Sequence, residues 1–246
     1  MPDNLRFVDD AVNIVKTLEA KGACARIIGA IAIRLHCPGT ESIFQEMNRP
    51  ITDIDLVAPS GSLSKATRYF EDNHYKLVFG LTGPRRIFQR PDGLKVDVFL
   101  DKLEMCHTIN FDGRWNVDSP TIPLAELVLE KSQIVKINEK DIKDLLVLFL
   151  SHELSDGDKD TINSKHIADT LSKDWGFYYT VTMNLDKVLN LMSNYGGLDN
   201  SQRQTITRRV TNLRQEIEKH PKTLAWKIRA KAGTKKKWYG DVEDYE

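Results

Sequence analysis

Several features that would identify a protein quickly are missing from this 246-residue chain. Lys plus Arg and Asp plus Glu are equal at 35 each, so net charge argues for neither a polynucleotide nor a membrane partner, and any electrostatic signal must be local. No apolar run approaches the roughly 20 residues that span a bilayer. The first residues, Met1-Pro2-Asp3-Asn4, lack a basic segment followed by an apolar one, so the chain is expected in the cytoplasm. The cysteines, Cys24, Cys37 and Cys106, are widely spaced and odd in number, which excludes a disulfide framework and a Cys-x-x-Cys zinc site; they are expected to be reduced and structural. His107, His152 and His166 show neither His-x-x-x-His nor His-Glu-x-x-His spacing and read as structural or exposed. What remains is 41% apolar residues, enough to supply the core of one large or two small domains.

Against that plain background one stretch stands out, Thr52-Asp53-Ile54-Asp55-Leu56. As a β-strand it sends Asp53 and Asp55 to one face and Ile54 and Leu56 into the core. Two carboxylates a few Å apart repel by about 1 kcal/mol in water and several-fold more at a partly dry site, so the pair calls for a cation. A hard divalent ion such as Mg2+ suits oxygen ligands and commonly combines carboxylates with substrate phosphates.

The neighbouring segments supply a frame. Phe7, Val8, Ala11, Val12, Ile14, Val15 and Leu18 recur at helical spacing over residues 4–20, closed by Lys21-Gly22. Residues 23–28, Gly29-Ala30 and 31–36 read as strand, glycine turn and helix; the turn lets backbone approach a ligand, and the N–H groups of the following helix suit phosphate, although a plain tight turn explains the pair equally well. Residues 37–51, with Pro38, Gly39, Asn48 and Pro50, read as a loop. A helix is expected over 63–73 and strands over 75–79, 86–89 and 95–100, the last two joined by a turn at Asp92-Gly93. In the closing strand Asp97 points away from Val96 and Val98 and can become a third carboxylate beside the first two; Asp101 shares its face and competes for that position.

Gly29-Ala30, then Arg49-Pro50-Ile51-Thr52-Asp53-Ile54-Asp55, then Val96-Asp97-Val98 resembles the signature of the nucleotidyltransferase superfamily, closest to the AbiEii-like group. The resemblance covers roughly residues 5–150. It implies an α+β fold, a mixed sheet flanked by helices, with an all-helical domain following: a catalytic domain over 1–150 and a helical one over 151–246. It also implies that Asp53, Asp55 and Asp97 bind two Mg2+ ions (Mn2+ being an alternative), and that Gly29, Ala30, Arg49, Thr52, Lys131 and Asp141 serve nucleotide binding. The implied reaction moves a nucleoside monophosphate from a nucleoside triphosphate to an acceptor hydroxyl, of RNA, a tRNA 3′ end or another molecule, with loss of pyrophosphate. Ala30 stands where the family has Ser or Gly, which keeps the backbone N–H and removes a hydroxyl. A catalytically weak or inactive nucleotide-binding regulator of the same fold is the alternative.

Leu124, Leu127, Val128 and Val135 form one helical stripe with Lys131 in its middle. A lysine there either contacts phosphate or base, or pairs with a core carboxylate. Lys140-Asp141-Ile142-Lys143-Asp144-Leu145 nearly repeats an AbiEii-like run, with Asp141 flanking the apolar face and Asp144 expected to face solvent. Arg34 and Arg49 either neutralise phosphate or are ordinary surface arginines.

Beyond a polar break at 155–160 the pattern is helical, over 161–172, 184–194, 200–219 and 222–231. The aromatic run 174–179 is placed between helices, filling a seam. From Lys219 to Gly240 there is no acidic residue, while Lys222, Lys227, Arg229, Lys231, Lys235, Lys236 and Lys237 accumulate beside Trp226, Trp238 and Tyr239, preceded by Arg203, Arg208, Arg209 and Arg214. Basic residues among aromatics suit an RNA or tRNA backbone along 203–239; the other reading is a solvated surface neutralised by the acidic end, 241–246, folding back.

Overall fold

A computed structural model describes residues 2–242. In chain order the elements are α1 (Pro2–Ala20), β1 (Arg26–Ile28), α2 (Gly29–His36), α3 (Glu41–Glu46), β2 (Ile54–Ala58), α4 (Leu63–Asp72), β3 (Lys76–Phe79), β4 (Arg85–Gln89), β5 (Lys95–Leu100), β6 (Lys102–Glu104) and β7 (Thr108–Asn110). There follow α5 (Leu124–Ser132), α6 (Glu139–Ser151), β8 (Leu154–Ser155), β9 (Ile162–Asn163), α7 (Ser164–Leu171), α8 (Trp175–Leu191), α9 (Asn200–Lys219) and α10 (Leu224–Ala232). The fold is α+β, with a mixed sheet and flanking helices. Among the described residues no helix is long and apolar enough to cross a membrane.

The chain divides into two compact units, residues 1–35, 50–103 and 109–123 in the first and 36–49, 104–108 and 124–246 in the second. α5 and α6, expected before the boundary at residue 150, belong to the second unit, where they pack with α7, α8 and α9. The first unit holds a five-stranded sheet in the order β1-β2-β5-β4-β3. Only β2 and β5 run parallel; the other neighbours are antiparallel. Ile54, Leu56, Val96, Val98 and Phe88 leave the same sheet face and are buried, and Phe88 stacks on Phe70 of α4 at 4.3 Å.

The second unit is built round α5, buried on every side. All-round burial, rather than a single stripe, explains why Leu124–Leu129 is almost uniformly apolar. Short polar side chains start α6 to α10 by accepting backbone N–H groups that no turn can satisfy. Asn138 caps α6, Asn163 caps α7, Asp174 caps α8, Asp199 forms a capping box with Gln202 at α9, and Thr223 caps α10. Three expectations are corrected here. Residues 41–46 form a helix inside the expected loop, the aromatic run after Asp174 is the first turn of α8, and the polar break at 155–160 lies between the short parallel strands β8 and β9.

Candidate functional site

In the first unit β2 and β5 run side by side with Asp55 opposite Asp97. Residues paired across a parallel ladder leave the sheet on the same face, so these carboxylates share one side, away from the apolar face of Ile54, Val96 and Val98. Asp53 lies one residue ahead of β2 and is exposed, and its Oδ1 accepts a hydrogen bond from Thr52 Oγ1 at 3.1 Å. Burial pushes the Asp97 carboxyl up from its ordinary value; Arg85 opposes the shift, and the negative charge of Asp53 adds to it. Asp53 is thus within electrostatic reach of Asp97, while Asp55 faces Asp97 across the ladder.

Gly29 opens α2 at φ +70°, a backbone conformation that side-chain-bearing residues rarely adopt. A Cβ there would stand 2.9 Å from Asp55 Oδ2. The helix end and the carboxylate are thus packed together, with the half-buried Ala30 next in the chain. Thr52 lines a cavity of about 300 Å³ with Phe7 and Asp10 of α1 and with Arg90 and Asp92 at the β4–β5 turn. Its walls are internally paired: Arg90 donates to Asp10 at 3.0 Å and to Asp92. Asp101 does not compete for the third position, since it lies past the end of β5 at φ +64° and its Oδ1 accepts the Ser60 N–H at 2.7 Å.

One residue of this face was not foreseen. Arg85 opens β4 one residue earlier than expected, opposite Phe99 and diagonal to Asp97. Its Nε donates to both Asp97 oxygens, at 3.0 and 2.8 Å, and Nη2 also binds Oδ2. The guanidinium lies 5.2 Å from the Phe99 ring and 6.0 Å from that of Phe79. The register of a hairpin closed at Asp92-Gly93 carries this information, because counting back from the turn sets Arg85 on the Asp97 face.

No family model matches the chain, and no curated protein does. Several solved structures are similar, among them the following two. The lincosamide antibiotic adenylyltransferase LnuA, bound to lincomycin, is 16% identical with a TM-score of 0.44, over 55% of this chain and 92% of that one. An antigenic nucleotidyltransferase-like protein from Paracoccidioides brasiliensis is 14% identical with a TM-score of 0.38, over 89% of this chain and 95% of that one. Likenesses this remote carry no argument about activity, so the chemistry of the site has to come from its own residues.

Those residues fit a hard divalent cation in kind, since all three are carboxylates and two of them face one another across the ladder. As arranged, no three His, Cys, Asp or Glu side chains among the described residues stand close enough to hold a metal ion, and Asp97 is held by Arg85.

In the second unit lies a separate buried charge cluster. Lys131 Nζ is 3.2 Å from Asp141 Oδ1, 3.3 Å from Asp144 Oδ2 and 3.6 Å from Glu130 Oε1. Arg49 forks onto Asp144 at 2.9 and 2.7 Å. Asp144, expected to face solvent, is fully buried, because its face of α6 meets Lys131 and Arg49 rather than water. Arg49 is likewise no surface residue, and Arg34 is buried. For Lys131 burial opposes the charge, but Asp141, Asp144 and Glu130 outweigh it and hold the ammonium well above its ordinary range. The histidines are structural: His107 stacks on Phe177 at 4.9 Å, His152 bonds to the His36 carbonyl, and His166 Nε2 lies 3.1 Å from Glu126.

The basic segment is less available than its composition implies. Arg203, Lys222 and Arg229 donate to backbone carbonyls, Arg208 and Arg209 bind Glu153, Arg214 binds Asp186, and Lys237 binds Asp241. The aromatics turn inward: Trp226 meets Tyr178, and Trp238 meets Tyr179 and donates to Thr180. Gly176 leaves the room for this, since a Cβ there would come within 2.4 Å of the Trp238 carbonyl. Lys227, Lys231, Lys235 and Lys236 are exposed and have no acidic partner among the described residues. Residues 243–246, expected to fold back, lie outside those described.

Proposed function

We propose that the chain is a metal-dependent nucleotidyltransferase, moving a nucleoside monophosphate from a nucleoside triphosphate to an acceptor hydroxyl with release of pyrophosphate. The observation that carries this is the β2–β5 register, which sets Asp55, two residues after Asp53, against Asp97 on one sheet face. Asp53 and Asp55, with Asp97 as third ligand, would hold Mg2+ or Mn2+, supplying phosphate shielding and activation of the attacking hydroxyl. The chain's own groups do the rest. The N–H groups of the first turn of α2, Ala30 included, have no partner within the helix and are suited to phosphate oxygens. Gly29, by lacking a Cβ, keeps Asp55 in place beside that turn. Thr52 orients Asp53 through its hydroxyl, and the cavity it lines has room for the organic part of a substrate. Lys131, Asp141 and Arg49 act by holding the second unit together, as the pairing of Lys131 with Asp141 and Asp144 and of Arg49 with Asp144 supports.

An RNA acceptor fits the exposed lysines of α10 and the following turn, and the free thiols of Cys24, Cys37 and Cys106 fit the reducing cytoplasm. One observation favours a second reading, a nucleotide-binding regulator without catalysis: the arginine fork on Asp97 already neutralises the third carboxylate. Incubation with Mg2+ and each labelled nucleoside triphosphate, with and without total RNA, separates the two. Transfer is expected for wild type and none for a folded Asp53→Asn variant. Nucleotide binding without pyrophosphate release for every nucleotide would favour the regulator.

A further inference from the structure

We propose that Arg85 is the resident counter-cation of the carboxylate face and competes with a divalent cation for Asp97, so that it tunes metal affinity and couples it to nucleotide binding. The inference rests on the metal-dependent reading above. Its basis is the geometry of β4 against β5. The guanidinium addresses both oxygens of Asp97, whose side chain is only 12% exposed. Such a fork is the strong form of an ion pair, planar and bidentate. A dication brought to the same oxygens meets a fixed positive charge a few Å away, at a site where water screens poorly. The two cations therefore bind Asp97 at each other's expense.

The surroundings supply somewhere for the guanidinium to go. Phe99 and Phe79 offer ring faces near it, and Phe79 is 37% exposed at the sheet edge, so Arg85 can leave Asp97 while staying over aromatic surface at the rim of the same face. A triphosphate arriving there offers new oxygens for the same fork. Nucleotide thus draws Arg85 off Asp97 and frees a metal ligand. Metal and nucleotide then strengthen one another by the same factor, as linkage requires.

The test is Mn2+ binding followed by electron paramagnetic resonance, without turnover, on wild type, Arg85→Gln, Arg85→Lys and Asp53→Asn, each checked for folding by circular dichroism. Arg85→Gln is expected to bind Mn2+ about tenfold tighter than wild type in the absence of nucleotide. Arg85→Lys, which keeps the charge but loses the fork, is expected to stay within a few-fold of wild type. A non-hydrolysable triphosphate analogue is expected to tighten Mn2+ binding to wild type far more than to Arg85→Gln. Unchanged or weaker Mn2+ binding by Arg85→Gln, with wild-type binding lost in Asp53→Asn, would overturn the Arg85 proposal and leave the metal reading standing. Equal binding by wild type and Asp53→Asn, or none by wild type and Arg85→Gln alike, would overturn both.

Discussion

Replacing Lys131 by methionine tests whether the buried charge cluster is structural. In the folded protein two cations, Lys131 and Arg49, face three carboxylates, Glu130, Asp141 and Asp144. The lysine side chain is 9% exposed and Asp144 0%, so water cannot take over when the ammonium is removed. Breaking one partner out of a buried ion pair costs about 3–5 kcal/mol, because the surviving charge stays buried. For a chain of this size each kcal/mol lowers Tm by about 2–4 °C, so Lys131→Met should melt roughly 10 °C below wild type. Lys173 and Asp169 provide the internal control. Their contact is closer, 2.7 Å, but the side chains are 62% and 50% exposed, and Lys173→Met should cost no more than about 0.5 kcal/mol. Thermal and urea unfolding of both variants reads the difference. Because the Lys131 pKa is raised on folding, its contribution is complete below the unfolded value of about 10.5 and fades only as pH climbs above it. Equal stability losses in the two variants would refute the argument that burial, rather than distance, sets the magnitude.

Three further outcomes follow from the geometry. Gly29→Ala forces a side chain into left-handed backbone at about 1–2 kcal/mol and a methyl against Asp55 Oδ2, so it should lower Tm and metal affinity together; a variant with wild-type metal affinity would contradict the close packing described. Burial lowers the His107 pKa from 6.5 to about 4, so the unfolded chain binds the extra proton between those values and stability should fall by roughly 3 kcal/mol as pH drops through that window; His107→Gln should flatten this slope in urea midpoints. If Lys227, Lys231, Lys235 and Lys236 carry RNA contact, log K against log salt should have a slope of roughly −3, flattening in the variant with all four changed to serine; equal slopes would place any RNA elsewhere.

What the sequence revealed and what it hid divide along physical lines. Alternation placed β5 at its observed bounds, and the helical pattern placed α9 at 200–219. The glycine turn at Gly29 and the shared face of Asp55 and Asp97 were legible because strand periodicity is local. Asp144 was misread because an amphipathic pattern shows which face of a helix is apolar, while a buried ion pair makes a charged residue part of the core. The start of α8 was hidden for a similar reason. Trp175-Gly176-Phe177 is weak helix sequence, and burial of Trp175 and Phe177 overrides propensity. The basic segment misled in the other direction, since composition counts arginines without showing that Arg203, Arg209 and Arg229 are turned onto backbone carbonyls.

Nucleotidyl transfer is distinguished most directly by where the phosphates of a nucleoside triphosphate go. With triphosphate labelled at the α position in one reaction and at the γ position in another, wild type with Mg2+ should deliver the α label to an acceptor and release the γ label as pyrophosphate, while Asp53→Asn does neither. Release of the γ label as inorganic phosphate, or α-label transfer undiminished in Asp53→Asn, would contradict it.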